Sequence, residues 1–170
     1  GLGGGLLNSG GILTIDNSTI SDNSSLSDGG GIWNDPGTTT VTNTKIFGNT
    51  ANVKGGGVFS SAGTVNFANT TFTGNQAYAG GGIYCYASTM TLANSTIATN
   101  SASDLGGGIA SWVPIALTLT NSIVALNNAP TAPDVSGEVT GIFSLVGNGT
   151  NMIGPTDGID GNQVGTSATP

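Results

Sequence analysis

The sequence predicts an all-β chain: a right-handed, single-stranded parallel β-helix of about five coils of 25–27 residues, followed by a degenerate C-terminal turn region. Three observations carry that prediction. A glycine triplet followed by an aliphatic residue recurs along the chain. A second motif, rich in asparagine, recurs in phase with it. Between them, apolar and small polar residues alternate with a period of two, the period of a strand with one buried face.

The triplets are Gly3–Gly5, Gly29–Gly31, Gly55–Gly57, Gly80–Gly82 and Gly106–Gly108, at steps of 26, 26, 25 and 26 residues. Leu6, Ile32, Val58, Ile83 and Ile109 follow them. The second motif starts at Asn17, Asn43, Asn69, Asn94 and Asn121. Three residues later come Ile20, Ile46, Phe72, Ile97 and Val124, and three further on Asn23, Asn49, Asn75, Asn100 and Asn127. Self-similarity at a fixed period of this length marks a solenoid.

Within each repeat Leu13/Ile15, Val65/Phe67, Met90/Leu92 and Leu117/Leu119 alternate with Thr, Asn or Ala, and the second copy has Thr39/Val41. Abundant Thr, Val and Ile in short runs bounded by Gly, Asn, Ser and Asp argue for strands and tight turns. A coil of this length has room for three short strands and three turns. Equivalent residues then stack about 4.8 Å apart. Ile20, Ile46, Phe72, Ile97 and Val124 become one internal column, and the two asparagine series become ladders along the axis, as stacked amides do in other parallel assemblies. The glycine triplets mark a corner that needs positive φ or close contact between coils. Residues 1–128 form the regular coils and 129–170 an irregular end of the same domain.

Composition excludes several classes of function. There are two lysines, no arginine, no histidine and nine acids, for a net charge of −7 in 170 residues. Such a chain offers no electrostatic footprint for nucleic acid. No run approaches the roughly 18 apolar residues of a spanning helix, so no membrane insertion is expected. Without histidine, a Ser-His-Asp triad and a zinc site are out of reach. Cys85 is alone and falls in the column Asn8, Asn34, Ser60, Ser111, where it reads as a small filler. By repeat phase no column holds two acids, and Asp22 and Asp28 are the best pair within one coil. No catalytic residue, metal ligand or cofactor is expected.

The residues after the triplet aliphatics are Leu7, Trp33, Phe59, Tyr84 and Ala110. If Ile32, Val58 and Ile83 point inward, Trp33, Phe59 and Tyr84 point out, one above another. They are the candidate binding or interface residues unless a loop such as Ala129–Pro133 covers them. Asn17, Asn23, Asn69, Asn94 and Asn148 also begin Asn-x-Ser/Thr sequons. The first four coincide with ladder positions and are closed to modification if they point inward, which leaves Asn148 as the exposed one.

With these motifs in view the chain resembles the extracellular right-handed β-helix proteins of bacteria. It is similar in particular to polymorphic outer-membrane-protein and autotransporter-type adhesin passengers, which repeat a Gly-Gly-Ala-Ile-like and a Phe-x-x-Asn motif. The first reads Gly-Gly-Gly-Ile/Val/Leu here, and the second is met literally at Phe72-Thr73-Gly74-Asn75. The stretch from Asp134-Val135-Ser136-Gly137 to Asn151-Met152-Ile153-Gly154 also resembles the segment beyond the last regular coil of such proteins. The resemblance implies an extracellular or cell-surface location, a bacterial source, and a structural or adhesive role. Partners would be further copies stacked end to end in a filament or stalk, other surface proteins, or glycans. Because pectate lyases share the fold, a carbohydrate-active enzyme or glycan-binding module is the alternative.

Overall fold

The structure is a computed structural model that describes residues 2–112 and 116–166. Four parallel sheets run along it, of seven, six, seven and four strands. The first begins Leu6–Asn8, Ile32–Asn34, Val58–Ser60, Ile83–Tyr86 and Ile109–Trp112. The second begins Ile12–Asp16, Thr38–Thr42, Thr64–Ala68, Thr89–Ala93 and Ala116–Thr120. The third begins Thr19–Ser21, Lys45–Phe47, Thr71–Thr73, Thr96–Ala98 and Ile123–Ala125. Each strand pairs with its equivalent one repeat away, the pattern of a coil wound about an axis.

The interior columns stand where the repeat phase puts them. Ile20, Ile46, Phe72, Ile97 and Val124 are in register, and Val146 extends the column into a sixth, partial coil. Ile32, Val58, Ile83, Ile109 and Val135 form a second column, and Ile15, Val41, Phe67, Leu92 and Leu119 a third. All belong to one continuous core. Phe67 and Phe72 meet edge to face at 5.0 Å, joining two sheets within one coil. Thr39 is the polar exception in the second sheet's inward face. It is fully buried, yet its hydroxyl donates to Asn34 Oδ1 at 2.8 Å and accepts from Asn8 Nδ2 at 3.0 Å. A buried hydroxyl with both bonds made costs little.

The coil differs from the expectation of three strands. A fourth sheet is built from Ser24–Ser25, Thr50–Ala51, Gln76–Ala79 and Ser101–Leu105, between the second asparagine and the next glycine triplet. Its strands lack hydrophobic alternation, so periodicity does not reveal them.

The glycine corner uses both properties glycine offers. The first glycine of each triplet has φ between 62° and 67°. The second and third instead sit where the next coil leaves no room: a Cβ on Gly30 would lie 2.4 Å from Gly56 O, and one on Gly31 2.6 Å from Gly57 O. Two further corners in every coil are left-handed: Asn17, Asn43, Asn69, Asn94 and Asn121 (φ 46–51°), and Asp22, Gly48, Gly74, Thr99 and Leu126 (φ 57–64°). Asn and Asp accept this conformation more readily than other side chains. Beyond residue 128 the chain continues the sheets with Val135–Glu138, Thr140–Ile142, Leu145–Val146, Met152–Ile153 and Gln163–Val164.

Candidate functional site: aromatic column, lateral cleft and polar ladders

The aromatic column forms, but it does not face solvent. Leu7, Trp33, Phe59, Tyr84 and Ala110 are register partners on the outer face of the first sheet. The Trp33 and Phe59 rings stack at 6.3 Å, and those of Phe59 and Tyr84 at 5.9 Å. Of the two possibilities, open or covered, the column is covered: Trp33, Phe59 and Tyr84 are only 9%, 7% and 5% exposed. With Ala79, Leu105 and Ala110 they make a second small core. The cover is the unforeseen fourth sheet. Lys54 and Ala79 bridge one another there, as do Leu105 and Thr131, so the Ala129–Pro133 segment closes only the upper end.

Two buried polar atoms belong to the lower end of this layer: among the described residues, Trp33 Nε1 and Asp28 Oδ1 have no hydrogen-bond partner. Burial pushes the Asp28 carboxyl above the usual carboxylate range, and the Lys54 ammonium partly offsets it. Asp22, its suggested partner, occupies the exposed left-handed corner before Asn23 and not the layer that holds Asp28.

Beside the covered rings lies an open cleft of about 300 Å³. The strands that end at Tyr86 and Trp112 are one residue longer than those below them, and the added residues are register partners. Their side chains form one wall, 44% and 56% exposed. The opposite wall is Tyr78, 52% exposed, with Asp104, whose carboxylate raises the Tyr78 hydroxyl above its usual range. Lys54 Nζ sits 5.0 Å above the Tyr84 ring and 6.0 Å from that of Tyr86. Repeat phase aligns Tyr86 with Trp112, a pairing that a search for aromatic columns of three or more passes over.

The two asparagine ladders have different fates. Asn49, Asn75, Asn100 and Asn127 are buried and Asn23 is half-buried. Each Nδ2 donates to the Oδ1 of the next coil: Asn23 to Asn49 at 2.9 Å, Asn49 to Asn75 at 3.0 Å, Asn75 to Asn100 at 2.9 Å and Asn100 to Asn127 at 3.0 Å. The same oxygens accept a backbone N–H from the coil below. Asp134 closes the series. Its Oδ1 accepts Asn127 N–H and Nδ2–H, both at 2.9 Å, and its Oδ2 accepts Asn148 N–H at 2.7 Å.

The outer ladder is exposed, because positive φ turns Asn17, Asn43, Asn69, Asn94 and Asn121 toward solvent. It survives as separate links, Asn69 to Asn43 at 3.0 Å and Asn121 to Asn94 at 2.7 Å. The expectation for the sequons is therefore reversed at four of the five: Asn17, Asn69 and Asn94 are open and Asn148 is half-buried, while Asn23 is held in the inner ladder.

A third ladder is not evident from the repeat motifs. Ser18, Thr44, Thr70, Ser95, Ser122 and Ser144 come directly after the left-handed corner and bond across coils, as in Thr70 N–H to Ser95 Oγ and Ser122 N–H to Ser144 Oγ, both at 3.2 Å. Asn162 closes this series by accepting Ser144 N–H at 3.0 Å.

Cys85 is the filler its column implies. It is fully buried and contacts Ser88 Oγ at 3.0 Å. Burial pushes its thiol above the usual range. A thiol reagent at pH 8 is expected to label the native chain far more slowly than the chain in denaturant. Equal rates in the two states, followed by absorbance, would contradict this placement.

Among the described residues no group of three or more Cys, Asp or Glu side chains is placed to hold a metal ion, and no helix is long and apolar enough to cross a membrane. Comparison with curated proteins and with solved structures gives no match. The family model described as a right-handed β-helix region does match, over residues 2–154. Coils of parallel strands, interior columns in register and that match agree, and the chain belongs to the right-handed β-helix family.

Proposed function

We propose that this chain is a structural module of an extracellular or cell-surface β-solenoid, stacked upon through its first coil and adhesive in use. The observation that carries the proposal is the polarity of the interior ladders. At the C-terminal end both ladders terminate on dedicated residues, Asp134 and Asn162. At the first coil they stop as acceptors: Asn23 Oδ1 and Ser18 Oγ accept no bond among the described residues, whereas their equivalents one coil on accept N–H donors.

The same coil carries the edge strands of all four sheets, with Leu7, Ile12 and Leu26 54%, 87% and 76% exposed. Unpaired edges and uncovered aliphatics are a template for another coil. Asp134 presents a carboxylate where a coil stacked beyond it would need an amide donor, which favours the first coil as the stacking face. The bacterial, surface-exposed setting rests on the motif resemblance alone.

Sedimentation velocity over a range of concentrations tests the reading, with electron microscopy of the same samples. Association that is lost in Ile12→Lys is the expected result. A monomer at every concentration, or association untouched by that charge, would sink it.

A further inference from the structure

The geometry points to the lateral cleft as a binding site for an uncharged oligosaccharide. All three tyrosines of the chain and one of its two tryptophans line it, in a sequence with only 6% aromatic residues. Tyr78, Tyr86 and Trp112 keep about half their surface open there, while Trp33, Phe59, Phe67 and Phe72 are buried as cores require. Rings held open on both walls of a rigid stack are costly in water unless something covers them.

The backbone is shaped for the cleft as well. Ala77 pairs with Ala102 but Ala79 with Leu105, so Tyr78 faces both Ser103 and Asp104 across a bulge. Bulges re-aim side chains and concentrate beside functional sites. Here the bulge brings Asp104 into the cleft lining beside Tyr78.

The chemistry of the lining names the ligand. A pyranose has C–H faces that pack on aromatic rings and a rim of hydroxyls that need donors and acceptors. Tyr86 and Trp112, about 4.8 Å apart on neighbouring strands, supply a continuous apolar wall. Asp104 is an acceptor for ring hydroxyls, and Lys54 and the tyrosine hydroxyls are donors. One ammonium against one carboxylate, on a chain of net charge −7, selects against an anionic sugar. The volume stands at the lower end of the range for small-ligand sites, about 300–1,000 Å³, which suits one or two sugar rings of a longer chain lying across the cleft.

Titration with β-1,4-linked hexasaccharides of glucose, mannose and N-acetylglucosamine tests the assignment. Trp112 is the exposed tryptophan, so its emission reports occupancy over the constant background of buried Trp33. A saturable blue shift with at least one of these probes is expected. By calorimetry, Trp112→Ala and Tyr86→Ala should each weaken that binding about tenfold, the loss of one stacked ring. Asp104→Asn should weaken it, all with unaltered unfolding midpoints. No saturation with any of the three, equal affinity in Trp112→Ala and Tyr86→Ala, or tighter binding of hexagalacturonate than of every neutral probe would each overturn the assignment.

Discussion

Replacing Asn75 by alanine should destabilise the solenoid by about 3–5 kcal/mol, far more than the loss of an ordinary surface asparagine. Asn75 is fully buried at the middle of the inner ladder. Its Nδ2 donates to Ile46 O and to Asn100 Oδ1, both at 2.9 Å. Its Oδ1 accepts Asn49 N–H and Asn49 Nδ2–H, both at 3.0 Å. Alanine leaves Asn49 N–H and Ile46 O buried without those partners, and each orphan costs about 1–3 kcal/mol. A small void adds to this. Asn23→Ala is the internal comparison. Asn23 is half-buried, gives one side-chain bond and accepts none among the described residues, so about 1 kcal/mol is expected. Asn75→Asp should be worse than alanine, because a carboxylate cannot donate to Ile46 O and buries a charge. Asp134 tolerates its carboxylate for the complementary reason, since it meets three N–H donors and supplies none. Urea midpoints for the variants give the comparison. Equal losses for Asn75→Ala and Asn23→Ala would mean that the ladder does not hold the coils together.

The features legible in the sequence are those that repeat in every coil. The aliphatic columns can be read because a buried position demands the same character each time, as Ile20, Ile46, Phe72, Ile97 and Val124 show. The inner asparagines can be read because a side-chain amide, an acceptor and two donors on a short stem, recurs at every coil. The glycine triplets can be read because the first position needs positive φ and the next coil excludes a Cβ at the other two.

The fourth sheet is hidden because its covering residues vary freely. Asp28, Lys54, Ala79 and Leu105 share a place and no common chemistry, since only their backbone and stems are needed to close the layer. Hence repeat phase puts Trp33, Phe59 and Tyr84 correctly on the outer face of their strands but cannot say what covers them. The hydroxyl ladder is hidden for another reason. Thr44, Thr70, Ser95 and Ser122 look like turn residues, and only their burial beneath the exposed asparagines shows that they bond along the axis. The closing roles of Asp134 and Asn162 depend on how an irregular segment folds back, which no repeat phase can supply. Tyr78, Tyr86 and Trp112 come together only because the fourth sheet exists.

Gly81→Ala should destabilise the solenoid severely. The φ of Gly81 is not in the left-handed region, so backbone freedom is not what the position needs. A Cβ there would lie 2.3 Å from Ser101 O and 2.5 Å from Gly107 O. Both are backbone atoms of the next coil and cannot swing aside as a side chain can. The coils must part, and the bonds Gly81 N–H to Gly106 O at 3.1 Å and Ile83 N–H to Gly108 O at 2.9 Å part with them. Overpacking of a tight site costs about 1–3 kcal/mol when side chains can yield, and more when they cannot. Gly74→Ala separates this cause from conformational strain. Its φ is 64°, but the nearest atom to a Cβ is Gly48 N at 3.9 Å, so only the left-handed penalty of about 1–2 kcal/mol applies. Because each coil contacts only its neighbours, a break at Gly81 uncouples the coils on either side of it. Amide exchange should then show lost protection centred on Gly80–Ile83 and Gly106–Ile109, with the first coils still protected. If Gly74→Ala proves the more harmful of the two, left-handed strain and not coil contact governs where this chain must keep glycine.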